Sequence, residues 1–285
     1  MKYYIVSLLI LIGIFTHAQK KTAYRIVNTK GNKTSYKKLL KKAAEADVVF
    51  IGELHNNPIA HWFEIEITKD LYKKKKGKII LGAEMFETDN QDELDLYLKD
   101  EIDQKAFDSL ARLWPNYKTD YKMLVDFAKE KKLKFIATNI PRRYARMVYR
   151  KGFAYLDSLP DDEKKWVTPL PIAYDSTLSQ YKKMRDMMPG HGGENLPKAQ
   201  AVKDATMAHN IAKHLEPDHT FIHFNGSFHS AFDQGILWYL RREKPGVKTL
   251  TIEVVSQKDI RKLEPEYKGT ADFIIIVDDD MPGSY

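Results

Sequence analysis

Cysteine is absent from this 285-residue chain. That absence excludes disulfides, thiolate metal sites, a cysteine nucleophile and the cysteine through which a bacterial lipoprotein is acylated. Four signatures are missing as well: the Gly-x-x-x-x-Gly-Lys-Ser/Thr phosphate loop, Gly-x-Gly-x-x-Gly, the Gly-x-Ser-x-Gly elbow and the His-Glu-x-x-His helix. Their absence argues against nucleotide chemistry and the common serine hydrolase scaffold. No apolar run reaches the ~20 residues needed to span a bilayer, and no segment is of low complexity. Positive charge is in modest excess, with 46 Lys and Arg against 39 Asp and Glu. It is scattered along polar helix faces, and its densest run, residues 73–76, reads as a solvated helix end. No nucleic-acid module accompanies it, so no nucleic-acid partner is expected. Attraction to anionic ligands or surfaces remains open, because net charge governs association rather than fold.

What is present begins with a leader-like segment. Lys2 supplies a positive start, residues 5–15 are almost unbroken apolar sequence, and Thr16-His17-Ala18 ends in a small residue that a signal peptidase accepts. Residues 1–18 are expected to be a signal peptide cleaved before Gln19, leaving residues 19–285 as one α/β domain in the periplasm or secreted, and not a lipoprotein. Removal of Lys2 leaves 45 basic residues against 39 acidic ones, a net charge of +6. A hydrophobic content of 43% is enough for a substantial core.

Beyond Asp47 apolar strand-like runs alternate with amphipathic helices. Strands are predicted at 48–51, 78–82, 135–138, 220–224, 250–255 and 273–277. Pro58 opens a helix with Ile59, Phe63, Ile67 and Leu71 on one face, ended by Gly77. Further helices are predicted at 91–98, 103–113, 121–131, from Arg142, at 198–215, and around Phe232, Ile236, Leu237 and Leu240. The expected fold is a three-layer α/β/α sandwich with a mostly parallel central sheet and a core of about residues 48–255. Five prolines and three glycines between 158 and 197 mark a helical, Pro/Gly-rich insertion that reads as a lid.

Two Gly-x-x-His steps follow predicted strands: Gly52-Glu53-Leu54-His55 and Gly226-Ser227-Phe228-His229. In an open α/β sheet the ligand crevice lies beyond the carboxyl ends of the strands, so both imidazoles are expected in one cleft. Glu53 stands two residues before His55, where an extended chain puts both side chains on one side; such a pair shares a metal or fixes the ring tautomer. Glu84 ends the second strand, and burying a bare carboxylate there would cost several kcal/mol. The candidate metal or catalytic set is Glu53, His55, Glu84 and His229, supported by Asp204. His223 reads as a core histidine, and His209, His214 and His219 as surface residues. Arg142 and Arg143 at a helix start oppose the helix dipole unless an anion lies nearby, which hints at a carboxylate partner.

Together, Gly52-Glu53-Leu54-His55-Asn56-Asn57-Pro58, Leu81-Gly82-Ala83-Glu84-Met85-Phe86, Trp114 with Tyr121, Asn139-Ile140-Pro141-Arg142, Gln200 with Asp204 and Met207-Ala208, and Asn225-Gly226-x-x-His229 resemble the ChaN domain of the haem-binding uptake and Tiki superfamily. The resemblance implies an α/β/α domain serving bacterial iron acquisition, with haem held between paired subunits and an outer-membrane uptake receptor as partner. It further implies a haem-ligating tyrosine, for which Tyr121, Tyr174 and Tyr181 are candidates, and a loop histidine, for which His191 is the candidate; Arg142 and Arg143 would then meet propionates. Related Tiki-type peptidases and erythromycin esterases use similar positions for hydrolysis. Three readings stand: a haem or divalent transition-metal binder, a metal-dependent hydrolase using the same four cleft residues, and a non-catalytic structural domain.

Overall fold

In the computed structural model, residues 22–187 and 193–285 are described; the expected leader, its cleavage point and His191 lie outside them. Seven strands make one sheet: β1 (Tyr24–Asn28), β2 (Val48–Glu53), β3 (Ile79–Glu87), β4 (Phe135–Asn139), β5 (Thr220–Gly226), β6 (Thr249–Gln257) and β7 (Phe273–Asp278). Their order is β1-β7-β6-β2-β5-β3-β4. Every neighbouring pair is parallel except the antiparallel edge pair of β1 and β7.

Strand residues alternate between two apolar layers, as the two-residue period of a sheet requires. Val49, Ile51, Leu81, Ile222, Phe224 and Ile275 face one layer, closed by Leu39, Phe63, Ile67, Leu71, Leu94, Leu124 and Val125 from helices. Val48, Phe50, Ile80 and Phe221 face the other, closed by Ala201, Ala205, Ile211, Ile236 and Leu240. Helices on both faces make this the expected three-layer α/β/α arrangement. No helix among the described residues is long and apolar enough to cross a membrane.

Local chemistry places the helices. Asn57 caps the Pro58–Lys74 helix, its side chain accepting from the Ile59 and Ala60 amides, with proline at the first helical position. The chain therefore leaves β2, carries His55 and re-enters a helix within four residues. Strands run further at their carboxyl ends than their apolar runs indicate, so Glu53 and Glu84 are the last and a late residue of strands rather than turn residues. β1 and the Tyr36–Ala43 helix were not anticipated. Phe232 falls outside the Ile236–Glu243 helix; it has a positive φ of 58° in the preceding turn. Within the Pro/Gly-rich insertion, Leu159, Val167 and Tyr181 are buried, so this part packs onto the domain.

Candidate functional site

The sheet order makes β2, β5 and β3 neighbours, and their carboxyl ends carry the chemistry. Register pairs Gly52 with Asn225, Glu53 with Gly226 and Ala83 with Phe224, so both Gly-x-x-His steps and Glu84 lie at one level of the sheet. The Gly226 amide donates to Glu84 Oε2 at 2.8 Å. A Cβ on Gly226 would stand 2.9 Å from Cε1 and 3.0 Å from Nε2 of His55, so glycine is what lets that ring lie over the strand end.

Glu53, His55, Glu84, His229 and Asp204 come together here. His55 Nδ1 lies 2.6 Å from Glu53 Oε1, which also accepts from the Tyr121 hydroxyl at 2.7 Å. His229 Nδ1 lies 2.5 Å from Asp204 Oδ1, and Asp204 Oδ2 accepts from the Tyr181 hydroxyl at 2.7 Å. The other nitrogen of His229 is 3.1 Å from Glu84 Oε1. The cleft thus holds two tyrosine–carboxylate–histidine chains, with Glu84 bonded to the second and joined through Gly226 to the first. Only His55 is substantially open, its side chain 41% exposed and its edge set against Trp114.

Charge follows from this wiring. Burial alone would push Glu53 up, but hydrogen bonds and charge from His55 and His61 hold it at about 2. Burial of Glu84 is likewise outweighed by His229, and its carboxyl stays well below the usual range. Burial disfavours the His229 imidazolium, yet Glu84 and Asp204 raise it to about 9. His55 is raised against its burial by Glu53 and Glu84. Asp204 itself is raised, because complete burial exceeds the help of His229. Of the two imidazoles, the open His55 is the one placed to meet a ligand and exchange a proton with it.

The tyrosines separate clearly. Burial and the neighbouring carboxylates Glu53 and Asp204 push the hydroxyls of Tyr121 and Tyr181 far above the ordinary phenol range. Tyr174 is half-buried and stacks on Tyr181; burial raises its hydroxyl too, but that hydroxyl has no hydrogen-bond partner. Beside the cleft, Arg112, Arg142, Arg143 and Arg146 line a cavity of about 290 Å³ with Glu87 and Trp114. Arg143 pairs with Asp89 and Arg112 with Glu87 and Asp89, whereas Arg142 lies over the Trp114 ring. A larger cavity of about 690 Å³ lies at the start of β4, around Leu133 and Phe135, away from these groups. His223 is fully buried between Thr138 and Asn225 and lowered to about 4 by that burial.

Sequence reasoning missed His61 and Glu64. Both lie inside the Pro58–Lys74 helix and are buried, with His61 Nδ1 3.0 Å from Glu64 Oε2 and 3.1 Å from Glu53 Oε2. Their spacing of three residues puts them on one helix face, but only the docking of that face on β2 brings Glu53 to them. Asn116 and Asp120 complete the surround: Asn116 donates to the His55 carbonyl at 3.0 Å and to Asp120 at 2.8 Å.

Comparison with known proteins adds a family and a fold. The chain matches the family described as haem-binding uptake, Tiki superfamily, ChaN over residues 39–240. No curated protein matches it. Among solved structures it is similar to ChaN of Campylobacter jejuni, described with cofacially bound haem: 20% identity, 89% of this chain and 96% of that one covered, TM-score 0.69. A Bacillus cereus protein follows at 14% identity, with 90% and 95% covered and a TM-score of 0.51. A mutant erythromycin esterase is matched at 13% identity, with 92% and 83% covered and a TM-score of 0.49. At these identities the likeness to the solved structures is one of fold.

Proposed function

Because the chain belongs to the ChaN family of the haem-binding uptake, Tiki superfamily, we propose that it is an exported haem-binding protein of bacterial iron acquisition. The family match over residues 39–240 is the observation that carries this reading. Haem binding by a ChaN of the same fold supports it. The residues fit such a ligand in two respects. Tyr174 has an enclosed hydroxyl without a hydrogen-bond partner, so ligation there would break no existing bond. Arg142 and Arg146, the cavity's arginines that are not ion-paired among the described residues, are the cations there for a propionate to meet. Tyr121 and Tyr181 fit less well, since ligation would strip Glu53 and Asp204 of their hydrogen bonds. Bound haem would supply the iron and its redox chemistry; the protein would supply the donor, the charge partners and a wall excluding water. Paired subunits sandwiching the ligand, and delivery to an outer-membrane receptor, belong to the same proposal.

The decisive measurement is a haem titration of the purified protein followed by its Soret band. Tyr174→Phe keeps the ring and removes the donor, so the band is expected to be lost or shifted, while Tyr121→Phe and Tyr181→Phe retain it. An unchanged spectrum in Tyr174→Phe refutes ligation there, and the absence of any saturable band refutes haem binding. Export has its own test: N-terminal sequencing of the mature protein from its host is expected to start close to Gln19, and an intact Met1 refutes cleavage.

A second reading rests on a specific observation, the meeting of His55 and His229 with Glu53, Asp204 and Glu84 at one strand-end level. That arrangement suits general acid–base hydrolysis, with His55 as the open group. Ester or peptide cleavage abolished by His55→Ala, in a protein that takes up no haem, would replace the first reading with this one.

A further inference from the structure

We propose that Glu53, His61 and Glu64, beneath the cleft imidazole of His55, form a buried binding site for one divalent first-row transition-metal ion. The three residues offer ligand atoms that all lie within 4.8 Å of one another, the only such trio among the described residues. Glu53 is 1%, His61 2% and Glu64 0% exposed. Glu64 Oε1 is buried without a hydrogen-bond partner, and Glu53 Oε2 meets only His61 Nδ1, at 3.1 Å. A buried carboxylate oxygen left this way demands a compensating group, and a cation between the two carboxylates supplies one.

The spacing suits an ion of the zinc, manganese or ferrous type. A tetrahedral ion with bonds of ~2.0–2.1 Å places neighbouring ligand atoms roughly 3.3–3.4 Å apart; His61 Nδ1 lies 3.0 Å from Glu64 Oε2 and 3.1 Å from Glu53 Oε2, and all three ligand atoms lie within 4.8 Å of one another. An outward adjustment of a few tenths of an ångström makes room. One imidazole and two carboxylates select borderline-hard divalent ions rather than soft ones.

The outer groups are those a ligating histidine requires. With Nδ1 on the ion, Nε2 carries the proton, and it faces the His55 carbonyl at 3.2 Å and Asp120 Oδ2 at 3.6 Å. A backbone carbonyl or carboxylate on the second ring nitrogen fixes the tautomer of metal-bound histidines. Glu53 is itself steadied by the Tyr121 hydroxyl, and Asp120 by Asn116. Because Glu53 also holds His55, an ion here would tie the Pro58–Lys74 helix to the cleft and set the orientation of the open imidazole.

The test uses the full mature chain, stripped with chelator and free of haem, and Co²⁺ as the probe. One equivalent of Co²⁺ is expected to bind with a visible d–d band, to be displaced by Zn²⁺ and to raise the unfolding temperature. Glu64→Gln preserves volume, and loss of a direct ligand is expected to weaken Co²⁺ binding by ~100-fold or more, since losing even an outer partner costs 10–100-fold. His229→Ala, which touches none of the three ligands, is expected to leave the Co²⁺ band in place. No saturable band in the parent protein, parent-like affinity in folded Glu64→Gln, or loss of the band in folded His229→Ala each overturns the proposal. Haem titration is independent of all three outcomes, so failure of this site and failure of the haem reading are told apart.

Discussion

Replacing Asp204 with alanine is expected to destabilise the protein by about 3–5 kcal/mol, the usual result of removing one partner from a buried ion pair. Asp204 is 0% exposed and holds both His229 Nδ1 and the Tyr181 hydroxyl. Alanine leaves His229 charged with Glu84 as its sole carboxylate and strands the tyrosine hydroxyl in an enclosed space. For a domain of this size the unfolding midpoint should fall by roughly 2–4 °C for each kcal/mol lost. Asp204→Asn keeps the shape and one acceptor, so it should cost less, about 1–3 kcal/mol. Differential scanning calorimetry of both variants at neutral pH checks the pair of values. If Asp204→Ala unfolds within a degree of the parent, the His229 chain does not hold the fold together.

Glu253→Gln is expected to act in the opposite direction. Glu253 sits in β6, level with Gly52, and its Oε2 has no hydrogen-bond partner. Burial pushes its carboxyl up to about 7, with Thr270 and the charge of Lys183 offsetting only part of that. A carboxyl whose folded pKa is raised binds its proton more tightly when folded, so its full contribution to stability is present below the unfolded value of 4.5. That stability is lost as pH rises from 4.5 through 7 and stays lost above it. At 1.36 kcal/mol per unit, the loss amounts to about 3 kcal/mol. Glutamine carries no charge at any pH, so the variant should be more stable than the parent at pH 8 by roughly this amount and nearly equal to it at pH 4. Denaturant titrations at the two pH values measure the difference. Equal gains at both would place the effect in packing rather than in the carboxylate.

The fold was largely readable before any coordinates. Short, β-branched-rich apolar runs such as Val48-Val49-Phe50-Ile51 read as strands of a covered parallel sheet, and Pro58 after Asn57 signals a helix start by local chemistry alone. The edge strand Tyr24–Asn28 was not readable, because an edge pairs on one side and needs no continuous apolar run. Helix content around Phe232 was misjudged because spacing shows periodicity but not the positive φ that breaks it.

The site divides in the same way. Glu53, His55, Glu84 and His229 could be named from sequence because strand ends in α/β sheets are where side chains meet ligands, a rule that depends only on recognising strands. Which of them touch was decided by the sheet order, which sets β5 between β2 and β3 although the chain visits it long after both. Contacts made across that order carry no local signal, so Asp204 beneath His229, and His61 with Glu64 beneath Glu53, became partners only through helix docking. The same holds for the tyrosines. Sequence supplies three phenols, and only packing determines that two are bonded to carboxylates while Tyr174 keeps its hydroxyl free, because a hydrogen bond depends on where distant atoms lie in space.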